Sequence, residues 1–510
     1  MTINYHNNIF LQQQTTYLHI ALIALAVSYL HGCSNKPKHT DIRDASEIHL
    51  KLDAVNLLQF VVQEDSLLIG DLQEVARPLV DTGSADTVFW SKKSKCNKQC
   101  SNPGNTALIS DRFDKITLPS TNSIKSTDIS YGTGDGSLSY YIDNVQFPQN
   151  HITTELPIGF WTEWTNKQLL PYGSILGLAY SNISKASNTK PHLDAFQEAL
   201  SKQSTNLHDQ FILQLCDPYF ITANKNSTSY SHRVDRNSVL KIGASIESDT
   251  QWSHIDVPED ITLHCPGFFC ASVESIADIP LVEEGNKTFI LDSGTNINLI
   301  PKDKFFHIAK KLVDVLSESS ITPSNTDSAL ILNGISEYTC NSDYCMLWIH
   351  AENTCYYDIA KTSCPWEEAF LLLNNSIFLT SDEEFIYKLT EAFRTVAVEF
   401  KGLDNDNVKI KMNPISILPL NSIENDIIYL GNLRNMTQLY LTNEKIRDIS
   451  TSLSIKPVEW LIQFNLMPTK SNTFILGAPF MRNKAIFHDK TSNSIAFSET
   501  TTCKEEQENN

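Results

Sequence analysis

The sequence predicts a mostly β protein folded as two related lobes with a cleft between them. Three observations point there. Short apolar runs, among them LLQFVV, FILQL, TFIL and AIF, are split by Gly, Asn, Asp, Ser and Pro, the pattern of short strands joined by turns. An apolar run meets Asp-hydroxyl-Gly-hydroxyl twice, as LVDTGSADTVFW over 79–90 and FILDSGTNINLI over 289–300. Each copy is followed by a later Ile-Leu-Gly, in PYGSILGLAY over 171–180 and TFILGAPF over 473–480. The copies lie too far apart for a solenoid repeat, so a duplicated lobe fits.

The bulk numbers agree. A chain of 510 residues is too long for one small core. With 41% hydrophobic and 19% charged residues it has a globular composition. A net charge of −19 argues against nucleic acid, whose backbone demands basic patches. It suits a protein working in acid, where carboxylates neutralise and self-repulsion falls.

Taken in order, residues 1–33 read as an export signal. Tyr17 to Leu30 is apolar except for His19 and Ser28, of signal length and short for a membrane span. Its flank carries no Lys or Arg. Leu30-His31-Gly32-Cys33 resembles a bacterial lipobox, which makes Cys33 a candidate lipidation site. The alternative is ordinary cleavage near Ser28 or Gly32. Residues 34–56 read as a linker or short pro-segment. An N-terminal lobe is expected over 57–222, a polar lobe connection over 223–245, a C-terminal lobe over 246–503 and a disordered tail over 504–510. Helices are expected at 191–202, with Leu193, Phe196, Ala199 and Leu200 on one face, and at 301–317, with Phe305, Ile308, Leu312 and Val315 or Leu316 on one face.

Eleven cysteines leave an even number once Cys33 is set aside. In an oxidising compartment they allow five pairs. Cys96/Cys100, Cys265/Cys270, Cys340/Cys345 and Cys355/Cys364 are near neighbours, and Cys216 and Cys503 are left over. Free buried thiols are the alternative. No CxxC or HExxH occurs, so no metal site is expected.

Two acids brought together from facing loops cannot both ionise easily, and the pair shares a proton. The ionised member can take a proton from water while the protonated member polarises a carbonyl, which amounts to peptide hydrolysis without a covalent intermediate. The candidate catalytic residues are therefore Asp81 and Asp292. Their neighbours have reasons. Gly83 and Gly294 let backbone N–H groups approach the carboxylates. Thr82 and Ser293 can bond across to the other lobe's backbone, and Ser84 and Thr295 can donate to the outer carboxylate oxygens. A glycine-tipped hairpin over 127–142, with Tyr131, Gly132, Thr133 and Gly134 at its tip, is suited to closing over a cleft and holding substrate.

With these motifs the chain resembles the pepsin-like aspartic proteases from about Ile69 to Cys503. The family's order is reproduced by Asp-Thr-Gly-Ser at 81–84, Tyr-Gly-Thr-Gly at 131–134, Ile-Leu-Gly-Leu-Ala at 175–179, Asp-Ser-Gly-Thr at 292–295 and Ile-Leu-Gly at 475–477. The stretch from Ile175 to FILQLC, and LDSGTNINLIPKDKFF, are similar to β-secretase sequences. The resemblance implies a two-lobed pepsin-like fold, a catalytic pair of Asp81 and Asp292, a flap tyrosine at Tyr131 and a Cys216–Cys503 disulfide. It implies extended peptide substrates with hydrophobic residues at the cut, inhibition by pepstatin-type compounds and no cofactor; a monomer is expected. The chain departs from the pattern at Gly70-Asp71-Leu72, where the family has Gly-Thr-Pro, and at Val88, where the family has the tryptophan that supports the flap tyrosine. Two rivals are a catalytically silent pepsin-like binding protein and a homodimeric retroviral-type protease, whose loop DTGSADTV resembles. The second Asp within the chain disfavours the latter. The expected setting is the secretory route, ending in an extracellular, periplasmic or acidic endomembrane compartment, with Cys33 as a membrane anchor if it is lipidated.

Overall fold

The computed structural model describes residues 45–55, 59–96, 116–131, 134–166, 174–185, 194–217, 219–223, 230–234, 237–246, 252–257, 265–281, 287–301, 304, 305, 307, 308, 311, 312, 315, 337–340, 344–348, 377–380, 383–403, 406–419, 428–431, 438–441, 460–469, 474–498 and 503. The expected signal segment, Cys33, Cys100, Gly132, Thr133, Cys355, Cys364 and the 504–510 tail lie outside the described residues.

The architecture is mostly β, as the sequence pattern requires. The first half supplies most of a sixteen-stranded sheet, and the second half builds an eight-stranded one. The same local topology occurs in both. Strand Leu79–Asp81 runs parallel to Ile175–Gly177, with Gly177 opposite Asp81. Strand Lys287–Asp292 runs parallel to Phe474–Gly477, with Gly477 opposite Asp292. Each Ile-Leu-Gly strand also meets, antiparallel, the strand that leaves the acid loop: Ile175 faces Val88, and Ile475 faces Leu299. The duplication read from the motifs is thus a duplication of strand crossings.

Two segments differ from the expected boundaries. Ile48–Val55 is a strand inside the span read as a linker. It pairs with Gln59–Val62 on one side and Val239–Ile242 on the other. Its sequence IHLKLDAV alternates, burying Ile48, Leu50 and Leu52 while the charged Lys51 is exposed, so the period-2 signal of a half-buried strand was present within a polar composition. Val239–Ile242 likewise lies within the span read as a lobe connection and buries Leu240 and Ile242.

These strands form a seam between the halves. Gln210–Leu215 pairs with Val239–Ile242 on one edge and with Lys484–Asp489 on the other. Ser494–Ser498 and Ser253–Ile255 extend the order. The end of the chain therefore returns to the first half. A disulfide between Cys216 and Cys503, Cα atoms 5.4 Å apart, closes it across 287 positions. Beside it the buried Arg482 guanidinium pairs with Asp217 and donates to the Ile415 carbonyl at 3.0 Å. Cys265 and Cys270 form a second disulfide. Cys340 and Cys345 are opposite one another in a hairpin register, and Cys96 ends the short strand Lys95–Cys96.

Helix Phe196–Gln203 buries Phe196, Ala199 and Leu200, while 191–193 lie outside the described residues. Phe305, Ile308 and Leu312 are fully buried, and Val315 packs against the core from a partly buried position. Among the described residues no helix is long and apolar enough to cross a membrane.

The seam holds an unusual group. His488 is fully buried, stacked on Phe211 at 4.6 Å and near Phe269 at 4.3 Å between ring centres. Neither ring nitrogen has a hydrogen-bond partner among the described residues. Burial, reinforced by the positive charge of Lys490, pulls its pKa from 6.5 down to about 3. Below about pH 6.5 the unfolded chain takes up a proton here that the folded chain refuses. Stability is therefore lost as pH falls towards 3, by about 1.4 kcal/mol per pH unit. Urea denaturation of the wild type and His488→Leu between pH 7 and 4 should show a flatter pH dependence for the variant. Equal slopes would remove this role for His488.

Candidate active site

Each acid closes a strand, the fully buried Leu79–Asp81 and the alternately buried Lys287–Asp292, and the loop after it must turn at once. The turn is possible because the backbone is crossed closely at two glycines. A Cβ on Gly177 would lie 2.6 Å from the Ala85 carbonyl carbon and the Asp86 oxygen, and one on Gly477 would lie 2.3 Å from the Ile297 oxygen. Side chains six positions after each acid fasten the crossing. Thr87 accepts from the Gly177 N–H at 3.2 Å, and Asn298 accepts from the Gly477 N–H at 2.9 Å.

The two loops then meet. The Thr82 hydroxyl donates to the Leu291 carbonyl at 2.8 Å and accepts from the Ser293 N–H at 2.9 Å. The Ser293 hydroxyl donates to the Val80 carbonyl at 2.8 Å and accepts from the Thr82 N–H at 3.0 Å. Both side chains are fully buried, so four bonds made without water hold the lobes at one spacing.

That spacing sets the acids face to face. A Cβ on Gly83 would stand 2.6 Å from the Asp292 carboxyl carbon, and one on Gly294 would stand 2.5 Å from that of Asp81. Only glycine leaves room for the opposite carboxyl group. Gly83 N–H donates to Asp81 Oδ1 at 2.8 Å and Gly294 N–H to Asp292 Oδ1 at 2.9 Å. Ser84 donates to Asp81 Oδ2 at 2.5 Å and Thr295 to Asp292 Oδ2 at 2.6 Å. Burial first, and the negative charge of Asp292 second, push the Asp81 carboxyl well above the ordinary carboxylate range. The structure thus brings together Asp81, Thr82, Gly83, Ser84, Asp292, Ser293, Gly294 and Thr295.

A family model described as "Eukaryotic aspartyl protease" matches residues 66–369, a span that holds both acid loops. The chain belongs to that family. Among solved structures it is similar to the aspartic proteinase from Irpex lacteus, at 13% identity and a TM-score of 0.44, over 90% of this chain and 100% of that one. No curated protein matches it.

This aspartyl protease chain carries its hairpin as strands Lys125–Tyr131 and Gly134–Phe147, with Tyr131 opposite Gly134 at the end of the pairing. Val88 is fully buried in the sheet, opposite Gly159. Trp90 is buried as well, and its backbone N–H donates to the Ser174 hydroxyl at 3.1 Å.

The sequence motifs overlooked two groups. Gln59 is buried and donates its amide to the Gly294 carbonyl at 3.3 Å, while its Oε1 is buried without a partner among the described residues. Nothing in the isolated QFVV stretch marks it. Asp86 is buried, with Oδ1 accepting from Tyr140 at 2.9 Å and Ser184 at 2.6 Å, and Oδ2 from the Lys185 N–H at 3.0 Å. An acid five residues after Asp81 was legible, but its partners lie in a distant strand, at Tyr140, and a distant turn, at Ser184 and Lys185.

Thr82→Ala deletes one lobe-joining donor and leaves the buried Ser293 N–H unpaired. Denaturant titration should show a loss of about 1–3 kcal/mol for each group so stranded, with Thr82→Ser retaining most of it. Equal stability of Thr82→Ala and wild type would show that the four-bond joint does not hold the lobes.

Proposed function

We propose that the chain is an aspartic endopeptidase in which Asp81 and Asp292 together activate a water molecule against a peptide carbonyl. The observation that supports this best is the mutual seating of the two carboxyl groups, each against the glycine of the other's loop. Two acids so close, one of them with a strongly raised pKa, hold one proton between them over a broad pH range. The ionised member accepts a proton from water as it attacks. The protonated member donates to the carbonyl oxygen as negative charge develops there. One N–H donor and one hydroxyl donor on each carboxyl group, one to each oxygen, fix the orientation of both acids.

The substrate class follows from the family and from the resemblance: extended peptides with apolar side chains at the cut. The β-secretase likeness of the segments around Ile175 and Asp292 belongs to this finer reading. Pepstatin-type compounds should compete, and a monomer carries both acids. Export, with cleavage near Cys33 or lipidation of it, completes the reading. A silent peptide-binding protein is the second reading. The retention of both acids, both glycines and Tyr131 disfavours it.

The test is digestion of a peptide library from pH 3 to 7, with and without pepstatin. Activity should be greatest in acid and should fall as pH rises through the upper titration of the pair, because the shared proton is then lost. Asp81→Asn and Asp292→Asn should each lower kcat/KM by at least about 10²–10⁴-fold with the fold retained. Turnover by either purified variant at wild-type level would refute the two-acid mechanism. Binding of peptides without cleavage at any pH would favour the silent reading.

A further inference from the structure

The strand Ile152–Asn166 contains two tryptophans, Trp161 and Trp164, whose spacing should separate them. In a regular strand, residues three apart point to opposite faces. Here the pairing with Gly134–Phe147 slips between Trp161 and Glu163. Thr162 is the extra residue of a bulge, so Trp161 stands opposite Leu138 and Trp164 opposite Gly136. The two indoles therefore fall on one face, where their rings pack edge to face with centroids 4.6 Å apart. Both are buried, at 1% and 4% exposure.

The bulge is held from both sides. Thr162 donates its hydroxyl to the Ser137 carbonyl at 2.9 Å. Ser94 donates to the Trp161 carbonyl at 2.5 Å. A bulge anchored this way re-aims side chains at a fixed place.

The target of the re-aimed pair is Gly136. A Cβ there would lie 2.7 Å from Trp161 Cζ3 and 2.7 Å from Trp164 Cε3. Both rings thus lie directly on the backbone of the hairpin, two residues from Gly134, where the pairing with Tyr131 ends. Four positions further along the same face, Tyr140 lies over Gly159, whose added Cβ would meet the Tyr140 ring at 3.3 Å. The Tyr140 hydroxyl donates to Asp86, on the loop that begins at Asp81. The hairpin strand is tied to the acid loop at one point and covered by two indoles at another. Leu138, fully buried, lies between them.

We propose that Trp161 and Trp164, set on one face by the Thr162 bulge and seated on Gly136, are positioning residues that fix the hairpin Lys125–Phe147 relative to the Asp81 loop. An aromatic ring over a cross-strand glycine covers backbone that would otherwise be a weak point in the strand. Two rings over Gly136 near the tip, and a reciprocal Tyr140 over Gly159 where the pairing with Lys125 begins, leave the hairpin little freedom to rock. This rests on the reading of the site as a peptidase, in which the hairpin meets the substrate.

The experiment compares wild type, Trp164→Leu, Trp164→Phe and Gly136→Ala, with Val398→Ala in the second sheet as a control for general loss of stability. Hydrogen exchange is read by mass spectrometry in peptides covering 125–147 and, separately, 484–498. Trp164→Leu should raise exchange in the hairpin about tenfold and leave the seam strands unchanged. With a peptide substrate its KM should rise about tenfold while kcat falls less than about threefold, the signature of lost substrate positioning. Trp164→Phe should restore most of both, and Gly136→Ala should move both in the direction of Trp164→Leu. If Trp164→Leu fails to fold, Gly136→Ala and Trp164→Phe carry the same two readouts. Unchanged hairpin exchange, an equal rise in both regions, or kinetics matching Val398→Ala would overturn the proposal. A wild type that cleaves nothing would defeat the peptidase reading, and hairpin exchange would still decide the positioning role.

Discussion

Everything at the centre of this molecule depends on the reciprocal bonding of Thr82 and Ser293. Two hydroxyls, each donating to one backbone carbonyl and accepting from one N–H of the opposite loop, hold the lobes at one distance. At that distance each carboxyl group rests on the other loop's glycine. A wider joint would let water between the acids, and each would ionise on its own. A tighter one is barred by the glycine backbones. The raised affinity of Asp81 for its proton is therefore a property of the joint as much as of the acid.

The same burial that suits the acids to low pH works against the molecule elsewhere. Burial lifts Asp81 well above its ordinary range and Asp143 to about 6. Such groups favour the folded state in acid and lose that contribution as pH rises through their folded values. His488 has the opposite sign, because it resists a proton that the unfolded chain accepts. The two sets occupy different places: the acids are in the first lobe and at the joint, and His488 is in the seam. Acid thus suits the site while it strains the sheet that joins the halves. The Cys216–Cys503 link and the buried Arg482–Asp217 pair lie at the edge of that same seam. The disulfide does not titrate, so that link persists in the acid range where His488 weakens the seam.

Much of this was legible in the sequence. The two Asp-hydroxyl-Gly loops and their Ile-Leu-Gly partners are local words, each with a local reason, and their repetition implied the two-lobed β architecture. The bonds that Thr82, Ser84, Ser293 and Thr295 make around the two acids were legible from the donor and acceptor chemistry of their side chains. The first strand was missed because a polar composition outweighed the alternation of Ile48, Leu50 and Leu52. The seam was missed because its partners are remote. Nothing near Gln210–Leu215 announces that Lys484–Asp489 will lie beside it. Gln59 and Asp86 were missed for the same reason, since a buried polar group is defined by what surrounds it.

The hairpin shows how far a local rule can mislead. Trp161 and Trp164 read as residues on opposite faces, and Val88 reads as a lost support. The structure gives each a different part. Val88 lies in the sheet opposite Gly159, where a large side chain would have to displace fully buried neighbours. Gly159 in turn has Tyr140 on it, and Tyr140 reaches Asp86. One inserted residue, Thr162, changes the phase of the strand and turns both indoles onto Gly136. Gly136 receives both indoles and Gly159 receives Tyr140, while Val88 pairs with the strand that carries Gly159. A β-carbon at Gly136 would enter the space of Trp161 and Trp164, and one at Gly159 would press on Tyr140, so each glycine answers the aromatic side chain that lies across from it.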